Sequence, residues 1–341
     1  MRVLVTGHNG YIGQVLDPML QNYGHEVVGL DTFYFEGCQF DESPDGSSTI
    51  RKDIRDVEAK DLEGFDAVIF LAALSNDALG DLDSGLTVDI NNSATVRFAK
   101  LAKQAGVGRF LFSSSCSLYG AAEGDDLLTE DSPLNPVTAY GKAKIDVELE
   151  LRKLANDHFS PSYMRNATAY GLSPSLRIDL VVNNLTGYAF TTGEVLMKSD
   201  GTPWRPLVHV EDIALAMRCV LESPRDPIHN RAFNVGRTEE NYQIKDVAAI
   251  VQDVVSGSQI TLAEGASPDT RTYRVNFDRI SYEVPTFMPQ WTVREGVEEL
   301  YKAYKEHGLT AEELDSSKYL RIKTILAHKS GGRLDDKLRW S

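Results

Sequence analysis

Cysteine is nearly absent from this chain. Cys38, Cys116 and Cys219, three thiols in 341 residues, are odd in number and far apart, which excludes a disulfide framework and gives no metal-ligand spacing. A reducing cytoplasm suits that scarcity. Positive charge is also in short supply: 35 Lys and Arg stand against 50 Asp and Glu, a formal charge of −15, and no Lys/Arg cluster along the sequence reverses the balance. Phosphate backbones and anionic headgroups would be repelled, so neither nucleic acid nor a membrane surface is expected as a partner. No stretch approaches about 18 consecutive apolar residues, and the apolar run after Met1 and Arg2 meets glycine too early for a secretory signal. Internal repeats and low-complexity linkers are missing as well. What is present is 42% hydrophobic residues, enough to bury the core of two domains or of one elaborated one.

Arg2 to Thr6 reads as a short buried strand, and Gly7-His8-Asn9-Gly10-Tyr11-Ile12-Gly13 then leads into a helical pattern through Val15, Leu16, Met19 and Leu20. A glycine turn between strand and helix lets the backbone approach a pyrophosphate, and the helix N-terminus adds amide donors and a positive dipole end. By themselves, three glycines also suit an ordinary tight turn. A second strand, Glu26 to Leu30, ends in Asp31, eighteen residues after Gly13. A carboxylate there can accept both adenosine ribose hydroxyls and repel a 2'-phosphate, which predicts NAD rather than NADP. Apolar runs at Ala67 to Leu71 and Arg109 to Ser113 alternate with helical patterns, implying an α/β fold with a doubly wound parallel sheet. Helix faces at Phe98, Leu101 and Ala102 and at Val147, Leu151 and Leu154 would share one side of that sheet and could carry a homodimer.

Tyr140 and Lys144 stand four residues apart at the start of an amphipathic segment, so both side chains stack on one helix face. An ammonium beside a phenol favours the phenolate, and Tyr140 can then exchange a proton with a substrate hydroxyl well below the usual phenol pKa of about 10. Such a pair suits making or unmaking a carbonyl. The spacing is also common on solvated helices. Its context here is the serine-rich run Phe112 to Gly120, which leaves the C-terminal end of a strand, where open α/β sheets place ligands.

With these motifs in order, the chain resembles the extended short-chain dehydrogenase/reductases, and among them the NAD-dependent nucleotide-sugar epimerase/dehydratase family, over roughly residues 1 to 305. The resemblance implies a Rossmann domain of residues 1–172 plus 210–236 and a smaller substrate-binding domain of residues 173–209 plus 237–305. Residues 306–341 remain a helical C-terminal extension assigned only to packing. Gly7, Gly10 and Gly13 match the family's GxxGxxG loop, with Asn9, Tyr11 and Ile12 beside them. Asp31 matches its ribose carboxylate, Asp53 and Ile54 its adenine contact, and Leu71, Ala72 and Ala73 the backbone along the cofactor. Asn91 and Ser113 join that cofactor set, and Phe70 stands where a His usually precedes the Leu-Ala-Ala segment. By the same resemblance Tyr140 is the acid/base, Ser115 hydrogen-bonds the reacting oxygen, and Lys144 holds the nicotinamide ribose.

The substrate side is matched more loosely. Ser75, Ser115, Cys116, Ser117 and Thr168 are expected against the sugar; Thr168 replaces an Asn of the UDP-galactose 4-epimerases. Asn183-Asn184-Leu185 looks like the segment with which those epimerases hold the sugar nucleotide, and Asn184 is taken as its contact. Arg205, with His209 and Asp212 after it, looks like their diphosphate site; Ala266 replaces a second phosphate Arg, Asp269 is retained, and Arg271 would supply the missing charge. Cys116 and Ser117 occupy the places of the Asp-Glu pair of 4,6-dehydratases, and Ser117 that of a decarboxylase Glu. The resemblance therefore implies an NAD-dependent epimerase acting on a nucleotide-diphosphate sugar, at C4 through a 4-keto intermediate. A nucleotide-ketosugar reductase with net turnover of NAD(H) would use the same Ser115, Tyr140 and Lys144.

Overall fold

Seven strands form one sheet: β1 (Arg2–Thr6), β2 (Glu26–Asp31), β3 (Ser48–Arg51), β4 (Ala67–Phe70), β5 (Arg109–Ser115), β6 (Ser160–Asn166) and β7 (Arg231–Val235). In the computed structural model, which describes residues 1–41, 47–75, 84–121, 126–263 and 271–341, all pairings in this sheet are parallel and the order is β7-β6-β5-β4-β1-β2-β3. Ala266 and Asp269 lie outside the described residues. The order reverses between β1 and β4, so the chain leaves these neighbours in opposite directions and opens a crevice at their C-terminal ends. Val3 to Val5, Val68 to Phe70 and Phe110 to Phe112 are buried throughout, as strands covered on both faces require.

β6 has no apolar signature, because Ser160, Ser162 and Arg165 are buried within it beside Pro161. The fold meets that cost with partners: Ser162 Oγ donates to the Ile228 carbonyl at 2.8 Å, and Arg165 is paired below.

Helices α1 (Gly13–Asn22), α2 (Thr95–Gln104), α3 (Ala139–Leu154), α4 (Val181–Thr192), α5 (Val210–Glu222), α6 (Ile244–Val254), α7 (Val293–His307) and α8 (Arg321–Ser330) complete the main framework. Leu16 and Leu20 of α1 share one core with Ile213 and Met217 of α5, while Phe98 and Ala102 of α2 share another with Val147 and Leu151 of α3. The apolar faces of α2 and α3 thus cover the sheet. A third core gathers Val182 and Leu185 of α4, Val247 and Val251 of α6, and Val297 and Leu300 of α7. After α7 the chain contributes Leu314 and Tyr319 to that third core, then Ile325, Leu334 and Leu338 to the core between the sheet and α2 and α3. The C-terminal extension therefore packs into both of these cores. No described helix is long and apolar enough to cross a membrane.

Thr138 starts α3 by accepting a hydrogen bond on Oγ1 from the Gly141 amide at 3.1 Å, which fixes Tyr140 and Lys144 in its first turns. One turn beyond Lys144, the buried Glu148 holds the helix to the sheet. It accepts from Ser114 Oγ of β5 at 2.6 Å and from Arg165 Nε and Nη2 of β6 at 3.1 and 2.8 Å. A buried pair contributes little net stability but leaves an uncompensated charge when halved. Glu148→Ala should therefore cost about 3–5 kcal/mol in urea unfolding. The double change Glu148→Leu with Arg165→Met should cost less than Glu148→Ala alone; a larger loss in the double variant contradicts the pairing argument.

Candidate active site

The loops at the C-terminal edge of the sheet enclose one cavity of about 820 Å³. At one end the glycine loop crosses the switch point, where the Gly7 amide donates to Leu30 O at 2.8 Å and the Leu71 amide to Thr6 O at 3.1 Å. Gly7 has φ of +71°, and a Cβ there would lie 2.9 Å from the Ala72 nitrogen. At Gly13 a Cβ would meet the His8 carbonyl oxygen at 2.3 Å. Both positions require glycine. No side chain caps α1, and Gly10, Tyr11, Ile12 and Gly13 line the cavity, so the helix start is open to an anion there.

Asp31, at the end of β2, accepts the Asn9 amide on Oδ2 at 3.1 Å and the Phe33 amide on Oδ1 at 2.8 Å. Burial pushes its carboxyl above the ordinary range, against the pull of those two amides. Each oxygen keeps a further lone pair for a diol. Asp53 and Ile54 line the same end, where Arg55 Nη2 holds the Asp53 carboxylate at 2.7 Å. Leu71, Ala72, Ala73 and Ser75 form the adjacent wall. An uncapped helix start, a glycine loop without room for side chains and a diol-accepting carboxylate fit a dinucleotide.

Midway along the cavity stand Ser113 and Ser115 of β5 and Tyr140 and Lys144 of α3. Lys144 Nζ donates to the Ser113 carbonyl at 2.5 Å and lies 4.6 Å from the centre of the Phe112 ring and 5.4 Å from that of Tyr140. Burial pushes its ammonium down to about 7, opposed by the Glu148 carboxylate. Phe70 belongs to the support of this region: it is 5.1, 5.8 and 6.4 Å, centroid to centroid, from Phe98, Phe110 and Phe112. The aromatic residue in place of the usual His extends the packed floor below the site.

The far end holds Thr168, Asn184, Lys198, Arg205 and Arg271. Arg205 Nη1 donates to the carbonyls of Trp204, at 2.8 Å, and Arg271. Arg177, not singled out from the sequence, also lines the cavity; it bonds Asp179 through Nε at 3.0 Å and Nη2 at 2.8 Å, and Ser75 Oγ through Nη1 at 3.2 Å. Lys198, Arg205 and Arg271, from three separate segments, thus line one cavity of an acidic protein. The basic patch is invisible along the chain.

Three expected site residues do not line the cavity. Cys116 is fully buried, its thiol donating to the Arg165 carbonyl at 3.1 Å, and burial pushes its pKa well above the usual thiol range. It packs just beyond the end of β5, against β6, whereas the neighbouring Ser117 does line the cavity. Asn9 stands behind the glycine loop, accepting from Gln14 Nε2 at 3.2 Å. Asn91 sits in a π-helical stretch, Val88–Ala94, and clamps the loop after β4 by accepting from the Leu74 amide at 2.8 Å and donating to its carbonyl at 3.0 Å. It positions that wall from behind. Likewise His209 is fully buried, bonded to Glu299 at 2.9 Å and stacked on Trp291, and Asp212 accepts the amides of Gln290 and Trp291. Besides Arg177, the structure adds Lys52, Asn166, Lys198, Leu320 and Arg321 to the lining.

A parallel sheet with its glycine loop at the switch point and a Tyr–Lys pair in the same cavity defines a dinucleotide-dependent enzyme of the Rossmann type. Residues 3–236 match the model of the NAD dependent epimerase/dehydratase family, and the chain belongs to that family. It is 30% identical over 272 residues to a UDP-glucose 4-epimerase of Corynebacterium glutamicum, covering 74% of this chain and 80% of that protein. Among solved structures, MoeE5 in complex with UDP-glucuronic acid and NAD superposes with a TM-score of 0.78 at 26% identity, over 90% of this chain and 99% of that one. An NAD dependent NDP-hexosamine 5,6-dehydratase, TunA, shares the fold with a TM-score of 0.79 at 21% identity, over 89% and 98%.

The buried lysine makes stability depend on pH. Between about 7 and the unfolded value of about 10.4, the unfolded chain holds a proton that folded Lys144 releases, so stability should rise with pH through that window. Lys144→Met should flatten the rise when urea midpoints at pH 7 and 9.5 are compared in the ligand-free protein. An undiminished difference in the variant contradicts the assignment.

Proposed function

We propose that this protein is an NAD-dependent epimerase of a UDP-activated hexose that inverts C4 through a transient 4-keto sugar. The observation that carries the reading is a cavity lined by a dinucleotide cradle, by Ser115, Tyr140 and Lys144, and by the cations Lys198, Arg205 and Arg271. UDP-glucose 4-epimerases among the relatives support both the reaction and the nucleotide.

NAD is the cofactor of the family, and when bound it supplies a hydride acceptor that can give the same hydride back. The remaining chemistry belongs to the chain. Asp31 accepts the adenosine ribose hydroxyls, the open start of α1 takes the diphosphate, and Asp53 and Ile54 flank the adenine. Lys144 holds the nicotinamide ribose. Tyr140, as phenolate, removes the proton of the sugar hydroxyl while the carbon loses its hydride, and Ser115 Oγ keeps a hydrogen bond to that oxygen as it becomes a carbonyl. Because ammonium and phenolate stabilise each other, the protonation of Tyr140 and Lys144 is linked. After the keto sugar turns, the proton returns from Tyr140 to the oxygen. Arg205, Arg271 and Lys198 hold the diphosphate, and Ser75, Ser117, Thr168 and Asn184 surround the sugar.

Elimination would need a carboxylate free to work beside Ser115. Among the described residues, the cavity carboxylates Asp31 and Asp53 belong to the cofactor end, and Asp179 is engaged by Arg177. Epimerisation is therefore favoured over the dehydration that other family members perform. The same reading places the enzyme in the cytoplasm as a homodimer, in keeping with three buried free thiols and with Leu149 exposed on α3.

Tyr140→Phe should lose about 10²- to 10⁴-fold in interconversion of UDP-glucose and UDP-galactose, measured without added NAD, while the NAD content of the purified protein stays unchanged. Turnover within tenfold of wild type removes Tyr140 from the acid/base role.

A further inference from the structure

The C-terminal extension lies beyond the residues matched by the family model, yet it reaches the functional cavity. Leu320 and Arg321, at the start of α8, line the same wall as Asp31, Thr32, Tyr34 and Phe35. The rest of the extension grips the loop that follows Asp31. His328 Nε2 donates to the Tyr34 carbonyl at 2.8 Å, Tyr34 Oη donates to the Leu338 carbonyl at 2.5 Å, and Trp340 Nε1 donates to the Thr32 carbonyl at 2.6 Å. It also reaches Asp53 and its neighbour: Arg339 Nη1 lies 3.4 Å from the Asp53 carboxylate and 2.5 Å from that of Asp56, and Arg55 Nη1 donates to the Lys337 carbonyl at 2.8 Å. Every one of these anchors falls on the adenosine side.

Arg321 is the unusual member. It is 2% exposed, its guanidinium lies 4.0 Å over the Phe35 ring, and Nη2 donates to the Ser175 carbonyl at 3.0 Å and to Ser175 Oγ at 2.5 Å. Nη1 is buried without a partner. Ser173, two residues before Ser175, donates from Oγ to the Tyr11 carbonyl in the glycine loop at 2.8 Å, so the segment that holds this guanidinium is tied to that loop, and the Arg321 charge is felt at Asp31. Burial, with the charge of Arg177 adding to it, pushes Arg321 down to about 10. A buried guanidinium with an unused donor is stabilised by an anion or an oxygen acceptor.

We propose that residues 317–341 form a strap that is part of the cofactor site, closing over the adenosine half of the dinucleotide, with Arg321 offering a donor to its ribose or diphosphate oxygens. NAD enters and leaves only when the strap lifts from the 32–34 loop, and the closed strap keeps it bound from one turnover to the next. Retention of this kind serves a reaction that returns its hydride and releases no NADH. The inference rests on assigning this end of the cavity to NAD, and its test reads NAD binding alone.

Two variants of the full-length protein separate the strap from the fold, since removing the whole extension would take the buried Leu314, Tyr319, Ile325, Leu334 and Leu338 away and expose the cores they fill. The first combines Arg339→Ala with Trp340→Ala at the partly exposed end; the second is Arg321→Met. The rate at which bound NAD is replaced by excess isotopically labelled NAD, and the NAD recovered after denaturing the purified protein, should both respond. We expect exchange at least tenfold faster in each variant, with the affinity for UDP unchanged. Exchange rates within twofold of wild type overturn the strap, and a parallel loss of UDP affinity reduces it to general destabilisation. A wild-type protein that binds no NAD overturns the strap together with the cofactor assignment, whereas one that binds NAD but epimerises nothing leaves the strap test intact.

Discussion

Burying one ammonium at the end of a strand is the constraint on which the site depends. Lys144 is withdrawn from water against the Ser113 carbonyl and the Phe112 ring, and Glu148 one helical turn away is the carboxylate that opposes its loss of charge. Glu148 in turn is held by Arg165 and Ser114, so α3 is seated on β5 and β6 through charges placed where no water reaches. Desolvation pushes the lysine's pKa down to about 7, and the same seat sets Tyr140 on the cavity wall beside it. The polar strand β6 follows from this requirement, because it must carry a buried arginine.

Continuity of the cavity is the second physical theme. Dinucleotide cradle, proton-transfer residues and basic end share one enclosure, so a hydride removed from a sugar need travel no further than the cofactor beside it. An overall charge of −15 makes a cavity lined by Lys198, Arg205 and Arg271 more selective, since cations in a generally acidic protein localise an anion to one place.

What could be read from the sequence was whatever depends on local spacing. Gly7, Gly10 and Gly13 before a helical pattern, Asp31 at a strand end, and Tyr140 with Lys144 on adjacent turns all constrain short stretches of backbone, and the fold places them where those constraints require. The features that escaped are those made by folding. Arg177 and Arg321 come within reach of the cavity from segments 144 residues apart, and β6 hides its burial behind serines whose partners lie on other elements. Cys116 was misplaced for a related reason: it sits between two serines that line the cavity, but its side chain turns towards the Arg165 carbonyl. The extension after residue 305 could be assigned only to packing because nothing in its own pattern says what it packs on.

The central claim is that a single hydride leaves and returns to one sugar carbon inside this cavity while no other carbon exchanges with solvent. Running the reaction on unlabelled UDP-glucose in deuterium oxide, and a second time on UDP-[4-²H]glucose in ordinary water, tests it directly by mass spectrometry of the recovered sugar nucleotides. The account predicts no carbon-bound deuterium gained in the first experiment and full retention at C4 in the second. Uptake of solvent deuterium at C5 or C6, or loss of the C4 label, would contradict it and point to elimination or to net redox turnover.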